Sequence, residues 1–360
     1  MHTRLAVVAS GLAAFVIASP AFAQKQGGTL RISHRDNPPS ASIHEESTIS
    51  VVQPFMAVFN NLVVFDPKEK INSPDKIVPD LAESWSWNAD QTKLTFKLRS
   101  GVKWHDGKPF TAKDVKCTWD AVSGKGDEKS DLIRKNPRKV WYNNLKEVTV
   151  GSDIEVTFTL NRPQPSFLSM LAAGYSPVYA CHVSGRDMRS KPIGTGPFKV
   201  VDFKRNEAIK LVRNPDYWKK GRPYLDAIDW KIVPNRSTRM LGFAAGEFDM
   251  TFDSDVTFPL LNDIKNQKPD AVCEGRPSNV NQNILINPEA PPFDKPEVRR
   301  AIALSIDQKP FNDILFQGHA LSGAAMLPMP ASSAARRRST AAACLALWRR
   351  PAWRSARMAR

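Results

Sequence analysis

Hydrophobic and polar residues alternate over several short stretches of the chain, which is the period of a β-strand with one buried face. Leu94, Phe96 and Leu98 alternate with polar residues in the clearest of these stretches. A hairpin is predicted at 147–160, where two alternating stretches flank a Gly-Ser-Asp turn. Further strands are predicted at 28–32, 199–203, 228–232 and 283–286.

Helical spacing of apolar residues predicts helices between these strands. Thr111 and Asp114 have the spacing of a capping box, which predicts that a helix begins there. Other helices are predicted at 48–65, at 239–245, from Pro296 and at 308–316. The helix from Pro296 is expected to bury one stripe, formed by Val298, Ala301, Ile302 and Ser305. Because strands and helices follow without a regular βαβ rhythm, the pattern favours a mixed α/β or α+β chain over a barrel or a Rossmann domain.

The N-terminal segment 1–23 has the pattern of a signal peptide. A short basic start precedes an apolar run at 5–17, and Ala21-Phe22-Ala23 offers small residues for cleavage before Gln24. The apolar run is too short to span about 30 Å of hydrocarbon at about 1.5 Å per helical residue. Because no cysteine follows the cleavage site, we expect export to the periplasm without a lipid anchor.

The composition is that of a soluble protein with real hydrophobic cores. Of 360 residues, 42% are hydrophobic and 24% are charged, which excludes a disordered chain and a polytopic membrane protein. The formal net charge is +15, but residues 24–330 contribute only +6 of it. Since the charges of this body are interspersed, no nucleic-acid partner is predicted.

The C-terminal segment 331–360 differs from the rest of the chain. It contains ten alanines, eight arginines and no acid. One interpretation is a basic helix that binds a membrane or nucleic acid, and the other is an out-of-frame or misjoined end. We favour the second interpretation and therefore expect this aberrant tail to contact nothing.

The residue pattern indicates neither a metal site nor a catalytic site. Cys117, Cys181 and Cys273 lie in the body and Cys344 lies in the tail, at spacings that match no metal motif. Three body cysteines allow at most one disulfide among them, and the sequence leaves the pair open. No nucleophile elbow occurs in the mature chain. No enzyme activity and no cofactor are therefore predicted, and a secreted hydrolase ranks last among the alternatives.

Three groups of motifs follow one another along the chain. The first consists of LVVFDP at 62–67, VPDLAESW at 78–85, the strand at 92–98 and GVKWHDGKPF at 101–110. The second consists of GTGPF at 194–198 and RNPDYW at 213–218, and the third covers 292–301 with Ile306-Asp307. By these motifs residues 27–330 resemble the family-5 extracytoplasmic solute-binding proteins of ABC importers, the group that binds peptides, dipeptides and nickel.

The resemblance implies a mixed α/β, two-lobed periplasmic-binding-protein fold of the clamp-like type II, with an extra small domain. By analogy, lobe I comprises 24–56 and 173–282, the inserted small domain 57–172, and the start of lobe II 283–330. The family pattern stops near Met326-Leu327-Pro328, where the aberrant tail begins. We therefore expect lobe II to be incomplete and the chain to be C-terminally truncated.

The implied function is the capture of peptides or similar polar solutes between two lobes and their delivery to permease subunits in the inner membrane. A monomer is expected. Two alternatives remain open: a nickel- or metal-chelate-binding member of the same family, and a non-functional truncated product.

The candidate ligand-facing residues are polar or aromatic side chains: Ser33, His34, Arg35, Arg138, Trp141, Tyr142 and Tyr175. The first three follow the first strand, where a loop would meet the cleft. The next three combine a guanidinium with aromatic rings, a combination that suits a ligand pocket. For Arg138 and Trp141 the alternative is a surface arginine and a packing tryptophan.

Overall fold

The computed structural model describes residues 26–46, 48–126, 131–252, 255–277, 284–319 and 340–345, so the predicted signal peptide lies outside the described residues. Its strands are β1 (Thr29–His34), β2 (Val63–Phe65), β3 (Ile77–Pro79), β4 (Ala82–Trp87), β5 (Lys93–Leu98), β6 (Leu145–Ser152), β7 (Glu155–Leu160), β8 (Phe198–Lys204), β9 (Ala208–Arg213), β10 (Ala227–Ile232), β11 (Val272–Pro277) and β12 (Thr340–Leu345). Its α-helices are α1 (Ile49–Phe55), α2 (Ala112–Ser123), α3 (Phe167–Ala172), α4 (Gly185–Ser190), α5 (Arg236–Ala244), α6 (Phe258–Gln267), α7 (Pro296–Ser305) and α8 (Gln308–Phe316). Short 3-10 turns lie at Met56–Val58, Pro74–Lys76 and Lys139–Tyr142.

The first four-stranded sheet has the order β1-β10-β9-β8. β1 and β10 run parallel, and the pairing continues to the last residue of β1, His34. A parallel bridge also joins Ile32 of β1 to Met250. β1, β10 and the segment at Met250 therefore run in the same direction, and their carboxyl ends lie on the same side of this sheet. In open α/β sheets ligands bind outside the carboxyl ends of the strands, so the residues after β1 and Met250 are positioned for binding.

The second four-stranded sheet has the order β4-β5-β7-β6 and is antiparallel throughout. The predicted alternation in β5 is confirmed, because Leu94, Phe96 and Leu98 are all buried. The predicted hairpin is confirmed as β6 and β7. Helix α2 covers the sheet, with the Trp119 ring 5.3 Å from that of Phe158.

Helix α2 begins where the sequence predicts. The Thr111 side chain accepts a backbone N–H of the first turn, and Asp114 Oδ2 accepts the Thr111 N–H at 3.0 Å, so the capping box is confirmed. The helix ends at Gly124, whose φ of 72° favours glycine. Cys117 of this helix forms a disulfide with Cys181, the pair that the sequence leaves open.

The first and second motif groups meet in one buried hydrogen-bond network, which we call the motif joint. Asp80, which is 2% exposed, accepts from Asn60 Nδ2 at 3.0 Å and from Lys219 Nζ at 2.5 Å. The Asn60 side-chain oxygen accepts from Thr195 Oγ1 at 3.1 Å and from Trp218 Nε1 at 3.3 Å. The motif residues named here therefore hold segments of the fold together.

A second contact between the motif groups is made by His105. Its Nδ1 accepts the Gly194 N–H at 3.3 Å, and its Nε2 donates to the Gly196 oxygen at 2.9 Å. Burial lowers the pKa of His105 to about 4. A Cβ on Gly194 would lie 1.9 Å from the Val58 oxygen, so only glycine fits at this close approach. His105 is thus a turn-bonded residue.

Three predicted elements differ from the structure. The helix predicted at 48–65 ends early, because Val63–Phe65 pairs with β3 as a strand. The strand predicted at 283–286 is wrong for 284–286, since no described strand pairs with them and Leu285 is 81% exposed. Helix α7 exists, but it buries no residue, and Ala301 and Ser305 of the predicted stripe are exposed.

The expectation that the tail contacts nothing is wrong for one segment. β12 pairs antiparallel with β11, which sets Thr340 opposite Pro277 and Cys344 opposite Cys273. The segment TAAACL is short and uncharged, so it can supply backbone hydrogen bonds to the edge of β11. The rest of 331–360 lies outside the described residues.

Candidate functional site

The carboxyl edge of the first sheet carries the first group of predicted residues. Ser33 and His34 belong to β1 and are not loop residues as predicted, because pairing with β10 extends to His34. Both are fully buried. His34 Nε2 donates to the Ser50 backbone oxygen at 2.9 Å, and its ring lies edge-on to Trp230 at 5.5 Å. Burial lowers the pKa of His34, so a neutral imidazole supports this edge from inside.

Arg35 is the first residue beyond β1, and its side chain reaches solvent with 35% exposure. Its Nε lies 3.5 Å from Asp36 Oδ2, and its Cζ lies 4.9 Å from the centroid of the Phe252 ring. Asp36 also accepts from the Ser50 hydroxyl. Phe252 is buried two residues after the bridge at Met250. The Arg35 guanidinium thus lies just beyond the carboxyl end of β1 and packs against the Phe252 ring.

The second group of predicted residues forms one cluster around Arg138, which is only 6% exposed. Its Nη2 donates to the Ile43 oxygen at 2.6 Å, and its Nη1 donates to the Glu46 oxygen. Its Cζ lies 4.5 Å from the Tyr175 ring centroid and 5.7 Å from that of Trp141. Among the described residues no carboxylate forms an ion pair with this guanidinium, and burial lowers the pKa of Arg138. Arg138 therefore fixes a loop against two aromatic rings.

Within this cluster Trp141 is exposed and Tyr175 is half-buried. Trp141 is 43% exposed, and its ring meets Tyr175 edge to face at 6.1 Å. The neighbouring Tyr142 is buried, and its hydroxyl hydrogen-bonds Ser176 Oγ at 3.3 Å. Burial also raises the pKa of Tyr142. Tyr142 anchors the turn from inside, and the adjacent indole is left outside.

The chain between 43 and 56 connects the two groups. It supplies the carbonyl oxygens that accept from His34 and from Arg138. Within it, α1 begins at Thr48, whose side chain accepts the Ser50 N–H, and the helix is held on the core by the buried Phe55. Both groups of predicted residues therefore contact the same part of the chain, residues 43–46 and 48–56.

Sequence reasoning missed Phe252 and Met56. Met56 is 52% exposed at the end of α1 and lies beside Gly174, close to the cluster around Arg138. The available signal was its spacing of seven residues from Ile49, which places both on one exposed side of the helix. For Phe252 no sequence signal existed, because its neighbour Met250 joins β1 through a contact far apart in sequence.

The side chains that reach solvent suit non-covalent binding, through hydrogen bonds from the Arg35 guanidinium and contact with aromatic faces. Across the described segments, no three His, Cys, Asp or Glu residues are grouped so that they hold a metal ion. No described helix combines the length and apolar character needed to cross a bilayer.

Residues 76–343 match the family described as bacterial extracellular solute-binding proteins, family 5 middle. The match covers well over half of the chain. It continues beyond Met326-Leu327-Pro328, so the expectation that the family pattern stops there is wrong.

Individual relatives agree with this match. Heme-binding protein A of Haemophilus influenzae is 32% identical over 292 residues, 75% of this chain and 51% of that protein. Probable di/tripeptide-binding protein 5 of Pseudomonas aeruginosa is 28% identical over 357 residues, 92% of this chain and 64% of that protein. The chain thus spans between half and two thirds of the length of these curated relatives.

A solved structure shows the same fold. The dipeptide-binding protein of Pseudoalteromonas sp. SM9913, in complex with Met-Leu, superposes with a TM-score of 0.73 at 24% identity, over 84% of this chain and 61% of that chain. The fold class is therefore the mixed α/β class of the two-lobed periplasmic binding proteins, as the motifs predict.

Proposed function

Because the chain belongs to family 5 of the bacterial extracellular solute-binding proteins, we propose that it captures a peptide or a similar polar solute and delivers it to the permease of an ABC importer. The relatives named above include a di/tripeptide-binding protein and a dipeptide-binding protein. These names support peptides as the first solutes to test.

One observation carries the proposal. Arg35, Trp141 and Tyr175 reach solvent, and each rests on a buried partner in or beside one segment of chain. Arg35 supplies charge-assisted donors for a carboxylate or a carbonyl of the solute. The aromatic pair supplies apolar area. Ser33, His34, Arg138 and Tyr142 are the buried supports that hold these groups in place.

The proposed division of the chain follows the two sheets. The first sheet combines residues 29–34 with 198–232, and the second lies within 82–160. This arrangement supports a lobe I built from 24–56 and 173–282 with an inserted domain at 57–172. Residues 283–330 are proposed to start lobe II.

The proposed setting of the protein is the periplasm. The family is extracellular by description, and the pattern of residues 1–23 supports export through a signal peptide without a lipid anchor. The permease subunits are then reached from the outer side of the inner membrane. A monomer suits this shuttling role.

The test is calorimetry on the purified mature chain with a defined mixture of dipeptides and tripeptides. We expect saturable binding that weakens about 10-fold or more in Arg35→Ala, because hydrogen bonds to charged groups contribute about 1.5–3 kcal/mol. Arg162→Ala is the matched control, since this exposed arginine lies on the second sheet after β7. Folded protein that binds no peptide would refute the proposal, and saturation by nickel with histidine instead would favour the metal-chelate alternative.

A further inference from the structure

Trp141 is held firmly and yet remains uncovered. Its indole is 43% exposed, whereas Trp104, Trp119 and Trp230 are at most 4% exposed. A large aromatic ring left in water forgoes the free energy that burial would contribute. An exposed ring on a fixed support is therefore a candidate contact for another molecule.

The support behind Trp141 leaves the ring little freedom. The Arg138 guanidinium lies 5.7 Å from the indole centroid and is fixed by two backbone carbonyls from a distant part of the chain. Tyr175 meets the indole at its edge, and the buried Tyr142 anchors the next position of the turn. A ring that is already ordered loses little conformational entropy when a ligand stacks on it.

The apolar surface continues from the aromatic pair to helix α1. A Cβ placed on Gly174, the residue before Tyr175, would lie 3.2 Å from Val52 Cγ1 and 4.0 Å from Met56 Cε. Gly174 is therefore packed closely against Val52 and lies next to Met56. The thioether of Met56 is 52% exposed, and methionine sulfur makes favourable contacts with aromatic rings.

This surface contains the aromatic part of the proposed solute site, and α1 links it to the part around Arg35, because α1 carries Met56 at its end and Ser50, the partner of His34, near its start. The guanidinium behind the rings disfavours a positively charged group in front of them. A neutral planar group fits both constraints.

We infer that Trp141 determines specificity by stacking against an aromatic side chain of the bound solute, so that the protein selects peptides with a neutral aromatic residue. The inference rests on the proposed function and names the class of solute. Tyr175 and Met56 form the walls beside the stacked ring, and the backbone or carboxylate of the peptide is assigned to Arg35.

The experiment compares two tripeptides, alanyl-phenylalanyl-alanine and alanyl-leucyl-alanine, by calorimetry on the full mature chain. We expect the aromatic peptide to bind about 3- to 10-fold more tightly, the ratio that an aromatic pair contributes. Trp141→Ala should remove this preference, and Trp141→Phe should retain most of it. Val140→Ala is the matched control, because Val140 is in the same turn, is 66% exposed and should leave the ratio unchanged.

The outcomes separate the two claims. If both tripeptides bind equally to the unmodified chain, or if Trp141→Ala keeps the preference, the inference is wrong while the proposed function stands. If neither tripeptide binds and the dipeptide and tripeptide mixture fails too, the proposed function is wrong and the inference falls with it. Should Trp141→Ala fail to fold, Trp141→Leu replaces it, because leucine keeps an apolar side chain and removes the ring, and a preference retained in this variant would likewise refute the inference.

Discussion

Removing the disulfide between Cys117 and Cys181 should strongly destabilise the protein. The bridge joins helix α2 to residues that follow the second sheet, and the two cysteines are 64 positions apart in sequence. Cross-linking a chain lowers the entropy of its unfolded state by an amount that grows with the logarithm of the enclosed loop. For a loop of this length the loss corresponds to about 4 kcal/mol at about 25 °C.

The loss should reach the full value of about 4 kcal/mol, because contacts other than the disulfide already hold helix α2 and the segment at 179–181 together in the folded state. The Tyr179 N–H donates to Thr118 Oγ1 at 3.0 Å, and the Cys181 N–H donates to Asp114 Oδ1 at 3.4 Å. The helix and the segment at 179–181 therefore stay in contact when the covalent bond is absent. Its removal acts mainly on the unfolded chain.

The assay is urea unfolding followed by tryptophan fluorescence, on the unmodified chain and on the double variant Cys117→Ser with Cys181→Ser. We expect the free energy of unfolding to fall by about 4 kcal/mol. Adding a reductant should produce the same loss in the unmodified chain. Reductant added to the double variant is the control, because it isolates the effect of the other cysteines. A loss below about 1 kcal/mol would refute the reasoning, since the bridge would then not restrict the unfolded chain.

Three further predictions follow from buried groups. Burial lowers the pKa of His44 to about 4, below its ordinary value of 6.5, so the stability from its neutral form is complete above pH 6.5 and is lost as the pH falls towards 4. His44 alone should lower the free energy of unfolding by about 2 kcal/mol at about pH 5, and His105, whose pKa burial also lowers to about 4, should add a similar loss. Urea unfolding at about pH 7 and at about pH 5 measures the sum of the two losses, and equal stability at the two pH values would contradict the prediction. Gly194→Ala should lower the free energy of unfolding by several kcal/mol or prevent folding, because its Cβ would overlap the Val58 oxygen. Thermal melting followed by circular dichroism measures the loss. Asp80→Ala should cost about 1–3 kcal/mol, because it leaves the buried Asn60 and the half-buried Lys219 without their carboxylate partner. Glu147→Ala at an exposed position should change stability by less than about 0.5 kcal/mol, and equal effects of the two would refute the role of the motif joint.

Local patterns predicted the elements whose cause is local. The alternation in β5 and the Thr111 and Asp114 capping box need only neighbours in sequence, and both are confirmed. The motifs likewise identified the family. Elements that depend on distant partners were predicted less well: Val63–Phe65 becomes a strand only because Ile77–Pro79 pairs with it.

The candidate site shows the same division. The sequence placed Arg138 near Trp141, but it could not show that the guanidinium donates hydrogen bonds to the backbone carbonyls of residues 43 and 46. It placed Ser33 and His34 in a loop, because nothing local indicates that β10 extends the pairing of β1. Only the structure therefore shows that Arg35, Trp141 and Tyr175 are the candidate residues whose side chains reach solvent.

The motif joint has a consequence for how this protein can be redesigned. Asp80, Asn60 and Lys219 hold segments of the fold together, whereas Arg35 and Trp141 lie outside that network. Under the proposed function, a library that randomises positions 35, 141 and 175 and retains the joint should keep folded members while the solute that they bind changes. On that proposal, the residues of the joint and the residues that contact the solute can also change independently during evolution.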